Sequence, residues 1–332
     1  MDVFMENHIN ALPEQVPAQA SRPAIPWRKV KDRLAEKSFF VMSLVPILLV
    51  ILIILALLLR TRPILEAEPF IDLIFGRTWK PLKGEFGFYP FIVGTFWVTV
   101  VAMILAVPPS LLTAIYLAEY ARSSTRSIMK PLLDLLAAIP SVVYGVWGLL
   151  AIVPWVQDHL NPSLSRWLGF LPLFVSDNPT GYSILAGGIV LAVMVIPFIV
   201  AVTFEVMRTV PDGYREASLA MGATRWQTIK SAVLPQVLPG ILAGVVLGSS
   251  RALGETMAVL MVVGNVAKVP SSIFDPAYPL PALIANNYGE MLSIPLYDAA
   301  LLGAALMLLL IVMTFNILST LVLHRLTRRS LV

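Results

Sequence analysis

The sequence predicts an all-α membrane protein with six transmembrane helices. Three observations carry that prediction. Of 332 residues, 58% are hydrophobic and only 13% are charged, against about a quarter charged in a soluble domain. Mean hydropathy is +0.81. Six apolar runs fall at about 39–59, 91–118, 132–154, 181–203, 239–263 and 299–323, each near the roughly 20 residues that a bilayer core requires. An even number of crossings returns the chain to the side it started from. Assigning both termini to the cytoplasm places 16 of the 24 lysines and arginines on that side, the asymmetry expected of cytoplasmic loops.

Residues 1–37 form the expected cytoplasmic N-terminal tail. It is polar and carries Pro13, Pro17, Pro23 and Pro26, a composition that predicts disorder. Arg28, Lys29, Lys31, Arg33 and Lys37 precede the first apolar run and hold the tail in the cytoplasm. That run is too long for the apolar region of a signal peptide and lacks a cleavage site. The loop at about 60–90 holds Phe75, Trp79, Phe86, Phe88 and Tyr89. Aromatics there suit either a membrane-interface belt or contact with an external partner. In the second run, Pro108-Pro109 predicts a kink. In the third, Pro140-Ser141 predicts another, and Gly145 and Gly148 permit close packing. The fourth carries Ala186-Gly187-Gly188 and Pro197, small residues that fit a compact core able to rock.

The fifth run holds the chemistry. If its helix enters the membrane near Pro239, Arg251 lies about 18 Å deep, near the middle of a roughly 30 Å core. On a continuous helix Glu255 lies one turn further on the same face. A charge at that depth costs roughly 2.5–3.5 kcal/mol on insertion scales, so it usually faces a pathway. Two readings follow. Arg251 and Glu255 neutralise each other and lock the bundle, or Arg251 meets a translocating oxyanion, to which guanidinium offers a matched fork of donors. In the second reading Glu255 holds the arginine when the path is empty, and Ser249, Ser250 and Thr256 supply neutral donors. The loop at about 264–298, rich in proline and glycine, can dock a partner from outside.

Between the fourth and fifth runs lies a polar interruption, Tyr214–Pro235, reading YREASLAMGATRWQTIKSAVLP. It predicts a short helix, a turn at Gly222-Ala223-Thr224 and a second helix stopped by Pro235. Ala217, Ser218, Ala220 and Gly222 leave a surface that another protein can approach closely.

That stretch resembles the EAA coupling loop of ABC-importer permeases, in which Glu-Ala-Ala is followed at fixed offsets by Gly and by Ile-x-Leu-Pro. Glu216, Ala217, Gly222, Leu234 and Pro235 stand in register, while Ser218 replaces the second Ala and Ala232 the Ile. Within those permeases, residues 38–326 resemble the C-type permease subunits of the phosphate-specific (Pst) importers, through residues 135–149, the loop at 216–235 and LGSSRALGETMAVLMVVGN at 247–265. The resemblance implies a type I importer permease fold, two copies of a separate ATPase gripping this chain and a sister permease, an extracytoplasmic phosphate-binding protein on the outer loops, and the charged residues Arg251 and Glu255 in phosphate transport in a bacterial inner membrane.

Other classes are disfavoured. The absence of cysteine excludes disulfides and thiolate chemistry. His8, His159 and His324 are far apart in the chain, no cofactor is expected, and no Gly-x4-Gly-Lys-Ser/Thr loop is present to bind ATP. No nucleophile–base–acid constellation points to an enzyme. An ABC permease for another oxyanion, the sister A-type permease and a secondary transporter remain as alternatives. The last has no use for an EAA loop.

Overall fold

The computed structural model describes residues 26–289 and 295–330. It is helical, and six of its helices are long and apolar enough to cross a membrane. The chain divides into two compact units, up to Leu55 and from Ala56 onward.

The first unit is the larger part of α1 (Pro26–Ala67). The disorder expected of residues 1–25 lies outside the described residues. Residues 26–37, assigned to the same tail, are instead helical: the first apolar run extends backward through its basic flank without a break. Apart from Ile54, the large apolar side chains from Phe39 to Leu55 are exposed, as lipid contact requires.

The second unit begins with the last turns of α1, then α2 (Phe70–Phe75) and a small hairpin of β1 (Trp79–Lys80) and β2 (Glu85–Phe86). Here the two readings of the aromatic loop both give way to a third. Trp79 meets Phe86 and Phe91 edge-to-face, Phe91 meets Tyr278, and Phe86 and Phe88 are almost fully buried. These rings form the core of a cap, closed underneath by Ile64, Leu280, Leu283 and Tyr297. Of the five loop aromatics, only Phe75 is exposed.

The bundle follows. Helix α3 (Tyr89–Tyr120) runs through Pro108-Pro109 and ends in a π-wound turn. Helix α4 (Ser123–Ala138) is separate from α5 (Ser141–Leu168), with the chain extended at Ile139 and Pro140. The third crossing is therefore α5 alone, and the expected span at 132–154 straddles the break before it. Helix α6 (Ile184–Arg208) is the most enveloped. Then come α7 (Asp212–Ala220), α8 (Arg225–Leu253), one turn of α9 (Met257–Leu260), α10 (Leu280–Asn287) and α11 (Pro295–Ser330).

Three features place the site. First, α8 rides on α6 through Gly240, Gly244 and Gly248, spaced one per turn. A Cβ at Gly244 would lie 2.9 Å from Val202 Cγ1, and one at Gly248 2.9 Å from Ile199 Cγ1. Small residues at this spacing let backbones approach. Second, Pro235 does not stop the helix. The turn before it, Ile229–Val233, widens to π geometry, and α8 runs on unbroken from the polar interruption into the bundle. A π-turn supplies the room that a proline ring takes from the preceding turn. Third, the fifth crossing ends early. It is helical only to Leu253, and the expected continuation to 263 is replaced by a break, α9, and a reversal at Gly264 and Asn265, both at positive φ.

The broken segment is held inside the protein. Ala258, Val259, Val262, Val263, Ile273, Phe274 and Ala277 are all buried. Its carbonyls cap α6: Ser183 N–H donates to Val262, Ile184 to Asp275 and Leu185 to Ile273. The Asp275 carboxylate in turn accepts from the Ser176 hydroxyl and from the Ser271 and Ser272 amides. Burial alone would raise its pKa, but these hydrogen bonds outweigh it and hold the group below the ordinary carboxylate value.

Gly244→Leu is expected to force α6 and α8 apart at a cost of about 1–3 kcal/mol, read as a lower melting temperature of the detergent-solubilised protein. Asp275 makes a second expectation. Its contribution to stability is present above its unfolded pKa of about 3.9 and lost as pH falls through the lower native value. The melting-temperature gap between native protein and Asp275→Asn should therefore close at low pH. A gap that persists there would assign the effect to packing.

Candidate functional site

Two places answer to the sequence-derived site residues: the broken end of α8 and the polar loop between α6 and α8.

Arg251 occupies the last turn of α8. Its guanidinium lies 5.8 Å from the Phe198 ring centre. Phe198 stands about 21 Å from one end of α6 and about 15 Å from the other, at 1.5 Å per residue, so Arg251 is level with the middle of the bundle. The side chain is exposed, and among the described residues it has no carboxylate within ion-pair distance. A cation here is favoured by the carbonyl end of α8, which carries partial negative charge.

The expected one-turn relation between Arg251 and Glu255 does not form, because the helix stops between them. Glu255 sits beyond the break, half-buried, with a carboxylate oxygen accepting a long hydrogen bond from Ala258 N–H at 3.4 Å. It borders a narrow cleft with Thr95, Thr99, Pro279 and Pro281. The two charges are thus separately placed. The mutual-neutralisation reading fits this arrangement poorly.

The neutral donors are also rearranged. The Ser249 hydroxyl is buried and donates to the Val245 carbonyl at 2.9 Å. The Ser250 hydroxyl lies 3.0 Å from the Val246 carbonyl and 2.6 Å from Asn316 Oδ1 on α11. Thr256 turns its hydroxyl to the Gly254 carbonyl at 3.2 Å. Of the five expected path residues only Arg251 has its polar group fully presented. Asn316 was missed. A carboxamide amid the apolar sixth run was legible as a polar group at membrane depth.

At the loop, α7 and the start of α8 form the expected helix–turn–helix. Gly222 turns the chain at φ +84°, and Thr224 caps α8 through a reciprocal pair with Gln227, which satisfies two otherwise orphaned amides. Glu216, Ala217, Gly222 and Pro235 are exposed, and Leu234 is half-buried. Ser218 is half-buried too, its hydroxyl 3.0 Å from that of Thr228. A Cβ at Gly222 would meet open space, so what demands glycine is the left-handed backbone and not crowding within this chain. Tyr214, Leu219, Met221 and Trp226 present apolar surface on the same loop. A basic residue there proves structural: Arg215 is largely buried and paired with Glu119 on α3 at 2.8 Å. Hydrogen bonding to Glu119 raises the guanidinium above its ordinary pKa, against the opposing effect of burial.

A family model, the binding-protein-dependent transport system inner membrane component, matches residues 110–331, which take in both places. The chain belongs to that family. Its helices make it a multi-pass inner membrane protein of the permease class. Among curated relatives it is 39% identical to the phosphate transport system permease protein PstC of Pasteurella multocida (strain Pm70) over 76% of this chain and 79% of that one. It is 34% identical to the PstC protein of Xylella fastidiosa (strain Temecula1) over 95% and 98%. Among solved structures, a bacterial ABC transporter importing the polysaccharide alginate superposes with a TM-score of 0.53 at 17% identity, over 88% of this chain and 98% of that one. The MetNI methionine ABC transporter does so at 0.51 and 20% identity, over 70% and 93%. These two establish the ABC-importer permease fold.

Gly222→Val is expected to strain the turn by about 1–3 kcal/mol, because a β-branched residue does not tolerate positive φ. Faster tryptic cleavage at Arg225 would show it, and Gly222→Asn should behave nearly as the native chain.

Proposed function

We propose that this chain is a permease subunit of an ATP-driven importer of inorganic phosphate. The observation that carries the reading is Arg251: an exposed guanidinium, without a carboxylate partner among the described residues, at the end of a broken helix level with the middle of the bundle. An unpaired cation at that depth is costly and marks a path for something negative, and the fork of an arginine matches a phosphate oxyanion. The relatives named as phosphate permeases supply the choice among oxyanions.

The exposed face of the loop around Gly222 is the seat of a separate ATPase. In this assembly two ATPase copies grip this chain and a sister permease, and a phosphate-binding protein delivers its cargo from outside. Both termini and the loop face the cytoplasm, in line with the charge asymmetry. Closure of the ATPases moves α7 and, through the continuous α8, the helix end that carries Arg251. Glu255, across the break from Arg251, keeps a passing anion from settling. The permeation domain is residues 38–326. The A-type sister permease and a permease for another oxyanion are the readings to be displaced.

The test is radiolabelled phosphate uptake into vesicles holding this chain, the sister permease and the ATPase, with binding protein outside and ATP inside. Uptake is expected to require both hydrolysis and the binding protein, to be competed by arsenate and not by sulfate, and to fall to background in Arg251→Gln while the complex still copurifies. Normal uptake by that variant would make the arginine structural. ATP turnover stimulated only by another solute would replace the substrate.

A further inference from the structure

The loop that the ATPase grips has covalent routes to two of the spans. It follows α6 after three residues and is continuous with α8. It has no such route to α3, whose chain turns away at Ala121 into α4. Yet α3 is packed along α6 and carries one wall of the bundle. Something must decide whether α3 follows the loop or slips against it.

Apolar contact alone permits slip. Under the loop, Met207, Val210, Val233 and Val237 pack with Leu111 and Ile115 of α3, and contacts of this kind set no direction. The Arg215 guanidinium does. Nε and Nη2 donate to both Glu119 carboxylate oxygens, the shortest at 2.8 Å; Nη1 donates to the Val210 carbonyl at 2.7 Å and to Asp212 at 3.2 Å; Nη2 also donates to the Met207 carbonyl at 3.1 Å. The side chains of Arg215 and Glu119 are 19% and 10% exposed. One cation thus caps the last turn of α6, anchors α7 and grips the end of α3. A two-toothed contact of this geometry fixes orientation as well as distance, and parting it would strand a buried charge. The gripped end is itself specialised. It is π-wound over Tyr116–Tyr120, and the Ala118 carbonyl beside Glu119 accepts from Arg126 of α4 at 2.8 Å.

We propose that Glu119 and Arg215 form a latch that makes the loop end of α3 move as one body with the coupling loop, so that the stroke of the ATPase reaches the second span as well as the fourth and fifth. The proposal rests on the ATPase-coupled reading of the loop. Both are positioning residues: neither approaches the Arg251 path, and their effect is on coupling and not on binding.

Since the chain has no cysteine, Tyr116→Cys with Met221→Cys puts spin labels on two exposed positions, one on each side of the latch. In the assembled complex, the distance between the labels is expected to stay constant when ATP binds. In Glu119→Gln and in Arg215→Lys it should change or broaden with ATP. In vesicles, phosphate moved per ATP hydrolysed should fall roughly fivefold or more in both variants, with ATP turnover retained. A distance that moves with the latch intact, or variants that keep the native distance and the native ratio, would overturn the proposal. If either variant fails to copurify with the ATPase, Glu119→Cys with Arg215→Cys, bridged by a short bifunctional thiol reagent, should recover uptake over the unbridged form. No recovery overturns the latch. A native complex that moves no phosphate defeats the substrate reading alone, because the label distances still judge the latch.

Discussion

A helix that ends inside a hydrocarbon layer leaves carbonyls and amides that only protein can satisfy, and much of this bundle answers that demand. After Leu253 the chain cannot continue as an isolated extended strand in lipid. It is buried against α3, α5 and α6 instead, with Gly145 so close that an added Cβ would lie 3.4 Å from the Met257 carbonyl oxygen. Its own carbonyls are spent on the first amides of α6. Asp275 and Asn178 then tie this segment to the preceding loop, the latter by donating to the Tyr182 and Phe274 carbonyls. The aromatic cap sits over the same region, with Tyr278 linking the two. One break in one helix thereby accounts for a fold that would otherwise be a plain helical bundle.

The break also explains why the two charges behave differently. On an unbroken helix they would face one another across a turn and cancel. Ending the helix between them leaves Arg251 at the carbonyl end, where the helix dipole supports a cation, and sends Glu255 to the start of a different element. The cost of holding an unneutralised arginine at that depth is lowered by the Phe198 ring and the helix end. Mutual cancellation would have made a better lock and, under the proposed function, a poorer path.

Much of this was legible in the sequence, and the exceptions share a cause. The six crossings follow from length and hydropathy, and the helix–turn–helix in the loop from the turn at Gly222-Ala223-Thr224. The end of the fifth helix did not follow, because MAVLMVV at 257–263 is apolar throughout and hydropathy does not distinguish a buried irregular segment from a helix. The same blindness shifted the third crossing, where α4 and α5 read as one run with a proline in it. Pro235 misled in the opposite direction: a proline reads as a stop, and a π-turn just ahead of it removes the clash that would make it one. The role of Arg215 was hidden because a charge on a polar loop reads as solvated, and its partner Glu119 lies nearly a hundred residues away. Asn316 alone was in plain view.

The continuity of α8 has a mechanical meaning that the discontinuity of its far end completes. From Arg225 to Arg251 the helix is a rod of about 39 Å, at 1.5 Å per residue, with the proposed ATPase seat at one end and the cation at the other. A rod embedded along its whole length in a close-packed bundle could not tilt without disturbing every crossing. This one is packed through glycines along α6, a smooth track, and is released from helical hydrogen bonding just past the cation. Under the proposed function, motion delivered at the loop can therefore change the surroundings of Arg251 without dragging the capped outer segment with it. A helix continuing to residue 263 would have transmitted the same stroke into the cap. Along α8, the break thus confines the proposed stroke to the length between the loop and Arg251.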